Sequence, residues 1–409
     1  MENRLKSLAF TSLGHFANDG TALMYPILIT FYVQLPNVQI PYLGGMAVVF
    51  NLISGLLSTP IGRYADNTGR YGVLISLGIA ILGVAALIFS LPFAFPQYTL
   101  PLVLVGALVL GSGQAFYHPL GAAILRNSFE RGDSPKAMGI NGSFGSLGRA
   151  IMPTTVGFMM TFIGDITGLV IYAIYSFISA IVLYLGLRTI QVKVTRKPAS
   201  SRSKEEKAKE KNAGKSYMPF VYLLTFAVFV RALFLTGTGT FIPTYLDLQF
   251  GSKTLTLTII LIAYLLPVLG QPLFGSLTSK RGGKFTVVFT FIFSTIFFFG
   301  FLFAGSSVIA TIALFTLFAG TAYSGFPVLL GFVSQVVPSE KLGMSNALVW
   351  GVGQTVGGAV GAGIVSLFTI FVPVPEAIRL MFIFALVALV FLPFLPSRTK
   401  VENEHSASA

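Results

Sequence analysis

The sequence has no cysteine, and only 10% of its 409 residues are charged. Without cysteine there is no disulfide, no thiolate metal site and no cysteine nucleophile. A typical soluble domain has about 25% charged residues, so this chain has too little polar surface to face water. Hydrophobic residues make up 54% of it. The composition indicates an integral membrane protein and excludes disordered, collagen-like, coiled-coil and disulfide-rich secreted classes.

Long apolar segments recur along the whole chain. A helix needs about 20 mainly apolar residues to cross a bilayer core of ~30 Å, and the strict alternation of a barrel strand is not seen. The sequence therefore predicts an all-α membrane protein with twelve transmembrane helices, at residues 7–34, 42–62, 71–93, 100–127, 137–163, 167–188, 219–246, 254–278, 285–304, 307–336, 342–371 and 376–396.

Lysine and arginine are concentrated on one side of this topology. Both residues favour cytoplasmic segments. With the N-terminus inside, most of the 27 Lys and Arg residues are cytoplasmic, and only Lys253 and Arg379 fall in outer loops. We expect both termini to be cytoplasmic and the protein to lie in the cell membrane. The same distribution explains the net charge of +13 without a nucleic-acid partner.

The longest polar segment, residues 191–217, divides the chain into two halves. It reads as a basic cytoplasmic linker, most simply a solvated tether, with an amphipathic helix on anionic lipid as the alternative. We predict a six-helix bundle over 1–190, a second over 218–396 and a cytoplasmic tail over 397–409.

The two halves repeat one another. TALMYPIL from Thr21 matches TGTFIPTY from Thr238, and KAMGINGSFGSLGR from Lys136 matches KLGMSNALVWGVGQ from Lys341. Parallel repeats of this kind are typical of transporters whose site lies between two bundles near the midplane. The halves are therefore expected to be pseudo-symmetric.

The loop between spans two and three reads GRYADNTGRY from Gly62. It resembles the signature of the major facilitator superfamily, Gly-x-x-x-Asp-x-x-Gly-Arg followed by Arg or Lys. Gly62, Asp66, Gly69 and Arg70 meet the pattern, and Tyr71 replaces the second basic residue. The resemblance implies a major facilitator fold, alternating access, and a gate at the cytoplasmic side formed by this loop.

A narrower similarity is to the fosmidomycin-resistance branch of exporters. That branch has a His-x-x-Asn-Asp run in span one and a His-Pro dipeptide in span four, met here by His15, Asn18, Asp19, His118 and Pro119. Leu120 stands where the branch usually has Glu, and Arg149 stands where an antiporter motif would have Pro. The resemblance implies export of drugs or related compounds.

Five ionisable side chains lie far from the ends of the predicted spans: His15, Asp19, His118, Arg149 and Arg231. Each costs about 2.5–3.5 kcal/mol at a bilayer centre on insertion scales, so such residues are usually functional. Asp19 is our candidate for the coupling proton, with Arg149 as its partner. His15 is four residues earlier on the same helical face and is placed to relay the proton. The alternative is a permanent Asp19–Arg149 pair with a purely structural role.

Arg149 and Arg231 belong to opposite halves. Two guanidiniums facing one cavity would suit a carboxylate or phosphate, although each could instead be neutralised internally. His118 is either a substrate contact or a core histidine bonded to the backbone freed by Pro119. Further candidate substrate contacts are polar or amphipathic residues within spans: Asn18, Tyr25, Gln114, Asn141, Tyr245, Trp350 and Gln354. Interhelical hydrogen bonding is the alternative for each.

No motif indicates an enzyme, a cofactor or a metal. The chain has three His residues, one of them His405 in the tail, without metal-ligand spacing. A phosphate-binding Gly-x-x-x-x-Gly-Lys loop is also missing.

The sequence therefore predicts a monomeric, proton-coupled secondary transporter in a lipid bilayer. Export of a small amphiphilic or acidic organic compound or drug by proton antiport is the first hypothesis. Proton-coupled uptake of an organic anion or metabolite is the second, and a non-transporting membrane enzyme or sensor is a remote third.

Overall fold

A computed structural model describes residues 2–130, 134–190, 204–337 and 341–396. All regular elements in these ranges are helices. The first half contains α1 (Glu2–Ala22), α2 (Met24–Tyr32), α3 (Ile40–Thr68), α4 (Tyr71–Ala94), α5 (Thr99–Gln114), α6 (Tyr117–Ser128), α7 (Ser134–Ile163) and α8 (Asp165–Leu187). Residues 191–203 of the predicted linker and the predicted tail, 397–409 with His405, lie outside the described residues.

The second half begins with the longest helix, which includes the end of the predicted linker. Its helices are α9 (Lys204–Phe250), α10 (Lys253–Arg281), α11 (Gly283–Leu302), α12 (Val308–Ala322), α13 (Gly325–Val336), α14 (Leu342–Asn346), α15 (Gly357–Phe371) and α16 (Val374–Val390). A π-helix over Ala347–Val356 joins α14 to α15.

Ten segments of the described chain are long and apolar enough to cross a membrane. The predicted spans 7–34 and 137–163 are not among them, although both are helical, as α1 with α2 and as α7. These segments carry the polar residues Asp19 and Arg149, which lower their hydropathy. The helices that carry the predicted proton-coupling residues are thus the ones that composition alone does not identify as spans.

Two helix breaks occur at matching positions of the halves, each four residues before a proline. Pro119 has no N–H to offer the carbonyl of Ala115, between α5 and α6, and that oxygen lies 3.3 Å from Ser58 Oγ, which also lies 2.7 Å from the Ser54 carbonyl oxygen. Pro327 likewise frees the carbonyl of Tyr323, between α12 and α13, which accepts from Gln271 Nε2 at 3.2 Å. A polar side chain of a neighbouring helix thus approaches each of the two carbonyls.

The halves meet chiefly along three pairs of helices: α7 with α10, α3 with α15, and α2 with α9. The matched prolines of the sequence repeat, Pro26 and Pro243, line the same cavity of about 10 Å³ at this interface. The repeat therefore brings equivalent parts of span one and span seven together.

The two ends of the bundle differ in closure. We call the end where α1 begins the near end; there Lys6 Nζ donates to Thr189 Oγ1 at the end of α8, at 3.3 Å. At the opposite, far end of α7, Gly157 packs against Leu257 and Ile27 so tightly that a Cβ would clash. At the near end of the same helix, Gly139 has open space where a Cβ would stand. Along α7, packing against the second half is therefore tighter around Gly157 than around Gly139.

Candidate functional site

The carboxylate of Asp19 is the centre of a buried polar cluster in the first half. Its Oδ2 lies 3.2 Å from His15 Nε2 and 3.2 Å from Arg149 Nη1. Its Oδ1 lies 3.3 Å from His118 Nε2 and accepts a hydrogen bond from Asn18 Nδ2 at 3.1 Å. The predicted proton-coupling residues thus meet at one carboxylate, and His118 and Asn18 join them.

The cluster is both buried and accessible. The Asp19 side chain is 4% exposed, whereas that of Arg149 is 27% and that of His118 is 50% exposed. The buried carboxylate therefore has partners that are themselves in contact with solvent. A proton or an anion can reach the cluster through these partly exposed side chains while Asp19 stays buried.

Two glycines of α7 allow this close contact with α1. Gly148 packs directly on the backbone of Phe16, and Gly145 lies against the imidazole of His15. A Cβ at either position would overlap these atoms. Small residues let helices approach closely within a membrane, and these two also set the distance at which Arg149 reaches the carboxylate.

A hydrogen-bond chain lies behind His15. Its Nδ1 is 2.8 Å from Asn141 Oδ1, and Asn141 Nδ2 donates to the Tyr117 hydroxyl oxygen at 2.9 Å. The Tyr117 hydroxyl donates to the backbone oxygen of Thr11 at 2.7 Å, and its ring stacks on His15 with centroids 4.8 Å apart. Asn141, predicted to contact substrate, is thus buried behind the imidazole. Sequence reasoning missed Tyr117, whose one signal is its position beside the His-Pro dipeptide.

Polar contacts continue from this cluster into the second half. Arg149 Nη2 donates to Ser146 Oγ at 3.2 Å, and Gln271 Nε2 of α10 donates to the same oxygen at 3.3 Å. Gln271 Nε2 also donates to the carbonyl of Tyr323, at the break between α12 and α13, at 3.2 Å. Hydrogen bonds therefore connect Arg149 of the first half to α10 and to this break in the second half.

Arg231 of α9 is 6% exposed. Its Nη2 donates to Ser294 Oγ at 3.2 Å, and its guanidinium carbon is 4.1 Å from the centre of the Phe291 ring. Among the described residues it forms no ion pair. A hydroxyl and an aromatic face compensate only part of the cost of a buried cation, so this guanidinium keeps the capacity to pair with an anion.

The other predicted wall residues have varied surroundings. Gln114 Nε2 donates to the backbone oxygen of Asn18 at 3.2 Å and so borders the cluster. The Tyr25 hydroxyl donates to the backbone oxygen of Leu43 at 2.6 Å, which is an interhelical contact. Tyr245 is buried with its ring 5.5 Å from that of Phe301, and the half-buried Trp350 and Gln354 lie in the π-helix.

The predicted gate loop connects α3 to α4. Gly69 caps α3 with a φ of 69°, a backbone conformation that favours glycine. The Tyr71 hydroxyl donates to Asp66 Oδ1 at 2.6 Å. Tyr71, which replaces a basic residue of the signature, is thus a hydrogen-bond donor to its carboxylate. Gly62 precedes this turn in α3, and Arg70 is exposed immediately after it.

His15, Asp19 and His118 are metal-ligand residue types, and their ligand atoms lie within 4.8 Å of one another. Sequence spacing gave no sign of this grouping. The Arg149 guanidinium already supplies a positive charge to the same carboxylate at 3.2 Å. We therefore assign no metal to the cluster.

Comparison with known proteins identifies the family. The profile described as "Major Facilitator Superfamily" matches residues 9–362 and 224–409. The chain is 22% identical, over 98% of its length and 95% of the relative's, to the uncharacterized MFS-type transporter YfnC of Bacillus subtilis (strain 168).

Two solved structures have a similar fold. Both are of a bacterial homolog to the human lysosomal transporter Spinster, in inward-facing conformations. The unoccupied one has a TM-score of 0.70 at 15% identity, covering 98% of each chain. The occupied one has a TM-score of 0.72 at 14% identity, covering 97% of this chain and 98% of the other. With the family profile spanning most of the sequence, the chain belongs to the Major Facilitator Superfamily and is a multi-pass membrane transporter, not an enzyme.

Proposed function

We propose that this transporter is driven by the proton gradient and exports a small amphiphilic or acidic organic compound by antiport. In this proposal, twelve spans form two six-helix bundles, 1–190 and 218–396, that rock about the site between them. The linker 191–217 and both termini are cytoplasmic, and the protein acts as a monomer in the cell membrane. The near end is then cytoplasmic, and the structure represents an inward-open state. The fosmidomycin-resistance resemblance stays a prediction.

The observation that carries proton coupling is the shared carboxylate. One buried acid, Asp19, lies within 3.3 Å of His15, His118 and Arg149. An ionised carboxylate attracts the guanidinium strongly, whereas binding of a proton to the cluster weakens that attraction. Gain and loss of a proton therefore change the attraction between α1, which carries Asp19, and α7, which carries Arg149. Such a change is a means of linking protonation to movement of the helices.

An acidic substrate is supported by the second half. Arg231 provides a buried positive charge that has no acidic partner among the described residues. A carboxylate, sulfonate or phosphonate group that bound Arg231 would compensate that charge, while the aromatic surroundings would accept an apolar body. The same feature supports the second candidate function, proton-coupled uptake of an organic anion, because binding chemistry does not fix the direction of transport.

Flux measurements in proteoliposomes test the proposal. Benzenesulfonate is a suitable probe because it is permanently anionic and crosses lipid poorly. Its movement is followed under an imposed pH gradient in both directions, for wild type and for Asp19→Asn. Antiport moves the probe toward the acidic side, and symport moves it toward the alkaline side. We expect Asp19→Asn to reduce gradient-driven flux to the level of protein-free liposomes.

His405→Ala is the matched control, since it removes an imidazole of the predicted tail. It should leave flux unchanged. Thermal unfolding of each variant in detergent separates loss of coupling from loss of fold. Gradient-driven flux that persists in a folded Asp19→Asn protein would refute the coupling role.

A further inference from the structure

His15 has hydrogen-bond partners at both ring nitrogens, and both partners are oxygens. Nδ1 faces Asn141 Oδ1 at 2.8 Å, and Nε2 faces Asp19 Oδ2 at 3.2 Å. A neutral imidazole has one donor and one acceptor nitrogen. Two oxygen acceptors can be satisfied together only by an imidazole that carries a proton on each nitrogen.

The assignment depends on which way the Asn141 amide points, and its neighbours decide this. The Tyr117 hydroxyl lies 2.7 Å from the backbone oxygen of Thr11, which can only accept. The single hydroxyl hydrogen is used there, so the Tyr117 oxygen, 2.9 Å from the amide, must accept from Asn141 Nδ2. The hydroxyl is also 3.2 Å from Asn141 Oδ1, but it has no second hydrogen to donate. The amide oxygen therefore points to His15.

The protonation of Asp19 follows from its own partners. Arg149 and Asn18 bring N–H groups to its two oxygens, at 3.2 and 3.1 Å. A carboxylate surrounded by donors is stabilised in its ionised form. The hydrogen between His15 and Asp19 therefore belongs to the imidazole, and the pair is an imidazolium with a carboxylate.

We propose that His15 is the binding place of the coupling proton in this state, and that Tyr117 and Asn141 are positioning residues which hold it as an imidazolium. The coupling role of this proton rests on the proposed function, whereas the charge state of His15 rests on the hydrogen bonds alone. Loss of the proton from Nε2 leaves a lone pair facing the Asp19 carboxylate. That repulsion favours separation of His15 from Asp19, and the carboxylate then keeps Arg149 and His118 as its partners.

His118 provides an internal contrast. Its Nε2 faces Asp19 Oδ1 at 3.3 Å, but its side chain is 50% exposed. A neutral tautomer with the hydrogen on Nε2 is sufficient there, because no second acceptor binds the ring among the described contacts. The two imidazoles, with centroids 5.4 Å apart, are therefore expected to differ in charge.

The surroundings of His15 contain few other charges. Asp19 lies on its own helix, His118 and Tyr117 face it from α6, and Arg149 of α7 lies beyond the carboxylate. Two more helices, α4 and α8, pack on α1. α4 has no charged residue, and the only charged residue of α8 is Asp165 at its far end.

Nitrogen-15 NMR of protein labelled at histidine tests the inference directly, since the chain has three His residues. The His15 signals are assigned by their loss in His15→Gln, and those of the tail by their loss in His405→Ala. At pH 7 we expect one doubly protonated imidazole, from His15, and a neutral His118. A neutral His15, in either tautomer, would overturn the proposal.

Variants of the positioning residues give a readout that a merely structural role would not move. Tyr117→Phe removes the hydroxyl that orients the amide, and Asn141→Leu removes the acceptor. A hydrogen bond to a charged group contributes about 1.5–3 kcal/mol, so the ratio of doubly protonated to neutral His15 should fall at least about tenfold in both. Asn141→Asp retains an acceptor oxygen and should keep His15 doubly protonated. Equal spectra for all three would reject the roles of Tyr117 and Asn141.

The NMR spectra test the charge state of His15, and the flux assay tests proton coupling, so each claim can be rejected without the other. A doubly protonated His15 in a protein whose flux ignores the pH gradient would retain the imidazolium and reject proton coupling. Loss of flux in Asp19→Asn together with a neutral wild-type His15 would retain coupling and place the proton elsewhere.

Discussion

Each half of the transporter contributes one partly or fully buried arginine to the centre of the molecule, but the two are neutralised differently. Arg149 in the first half is bonded to the carboxylate of Asp19 at 3.2 Å. Arg231 in the second half has Ser294 and the ring of Phe291 as partners, and among the described residues it has no acid. One positive charge is compensated within the protein, and the other depends on a neutral hydroxyl and an aromatic face.

This difference separates two kinds of chemistry. In the first half, the net charge around Arg149 changes when a proton binds to or leaves its acid and imidazole neighbours. A charge without an acid has a fixed sign and attracts whatever anion the cavity admits. The first half is therefore suited to proton exchange and the second to substrate recognition, as the proposed function requires. If this is correct, an acid introduced beside Arg231 should neutralise its charge, as Asp19 neutralises that of Arg149, and should weaken anion binding.

Gly325→Asp is the strongest way to break the comparison. A Cβ at Gly325 would stand 3.6 Å from Arg231 Nη1, so an aspartate there places a carboxylate beside the guanidinium. It neutralises Arg231 and also repels an anion. We expect affinity for benzenesulfonate to fall at least about a hundredfold, since a hydrogen bond to a charged group alone contributes about 1.5–3 kcal/mol.

The single tryptophan, Trp350, provides a binding signal by its fluorescence. Gly325→Asn is the matched control, because it adds nearly the same volume without charge. Comparable loss in the Asn and Asp variants would attribute the effect to volume and not to charge.

Arg231→Gln is expected to have a smaller effect, because it removes an attraction without adding a repulsion. Loss of one charge-assisted bond corresponds to about a 10- to 100-fold weaker binding of benzenesulfonate. Binding of the neutral benzenesulfonamide should change little. Equal weakening of both ligands would show that Arg231 supports the fold of the cavity and does not select an anion.

Sequence reasoning was most successful where one helix determines the geometry. The spacing of His15 and Asp19 placed them on one face, and the structure has them 3.2 Å apart. The break before Pro119 also followed from local chemistry, because proline cannot donate to the preceding turn. The meeting of Asp19 with Arg149 was expected from their similar depth, and the glycines of α7 make it possible.

What could not be predicted depends on the register between helices. Asn141 was a candidate substrate contact, with interhelical hydrogen bonding as the alternative, and only the packing of α1, α6 and α7 shows that it lies between His15 and Tyr117. The partner of Arg231 is an aromatic ring of α11, which apolar periodicity cannot distinguish from any other core phenylalanine. Ten of the twelve predicted spans are apolar enough to be identified by hydropathy. The other two include α1 and α7, whose polar site residues lower their hydropathy.

The smallest expected effect is at the far end, where the two halves are joined. Lys253 at the start of α10 donates to Gln34 Oε1, in the turn after α2, at 2.7 Å, and its ammonium lies 4.4 Å from the centre of the Phe31 ring. Both contacts link the second half to the first, and both must break if this end opens. Exposed polar and cation–π contacts contribute about 0.5–1 kcal/mol each. Loss of both is about 1–2 kcal/mol, so Lys253→Met should shift the equilibrium toward an open far end about five- to thirtyfold.

The lack of native cysteine makes this shift measurable. Spin labels at Gln39→Cys and Leu248→Cys, exposed positions of the two halves at the far end, report the distance between them. The longer-distance population should grow in Lys253→Met and stay constant in Lys280→Met, which removes an exposed lysine at the near end. If the two lysine variants give the same distributions, Lys253 does not hold the far end closed. The closure would then depend on apolar packing such as that of Gly157 against Leu257, which is indifferent to charge.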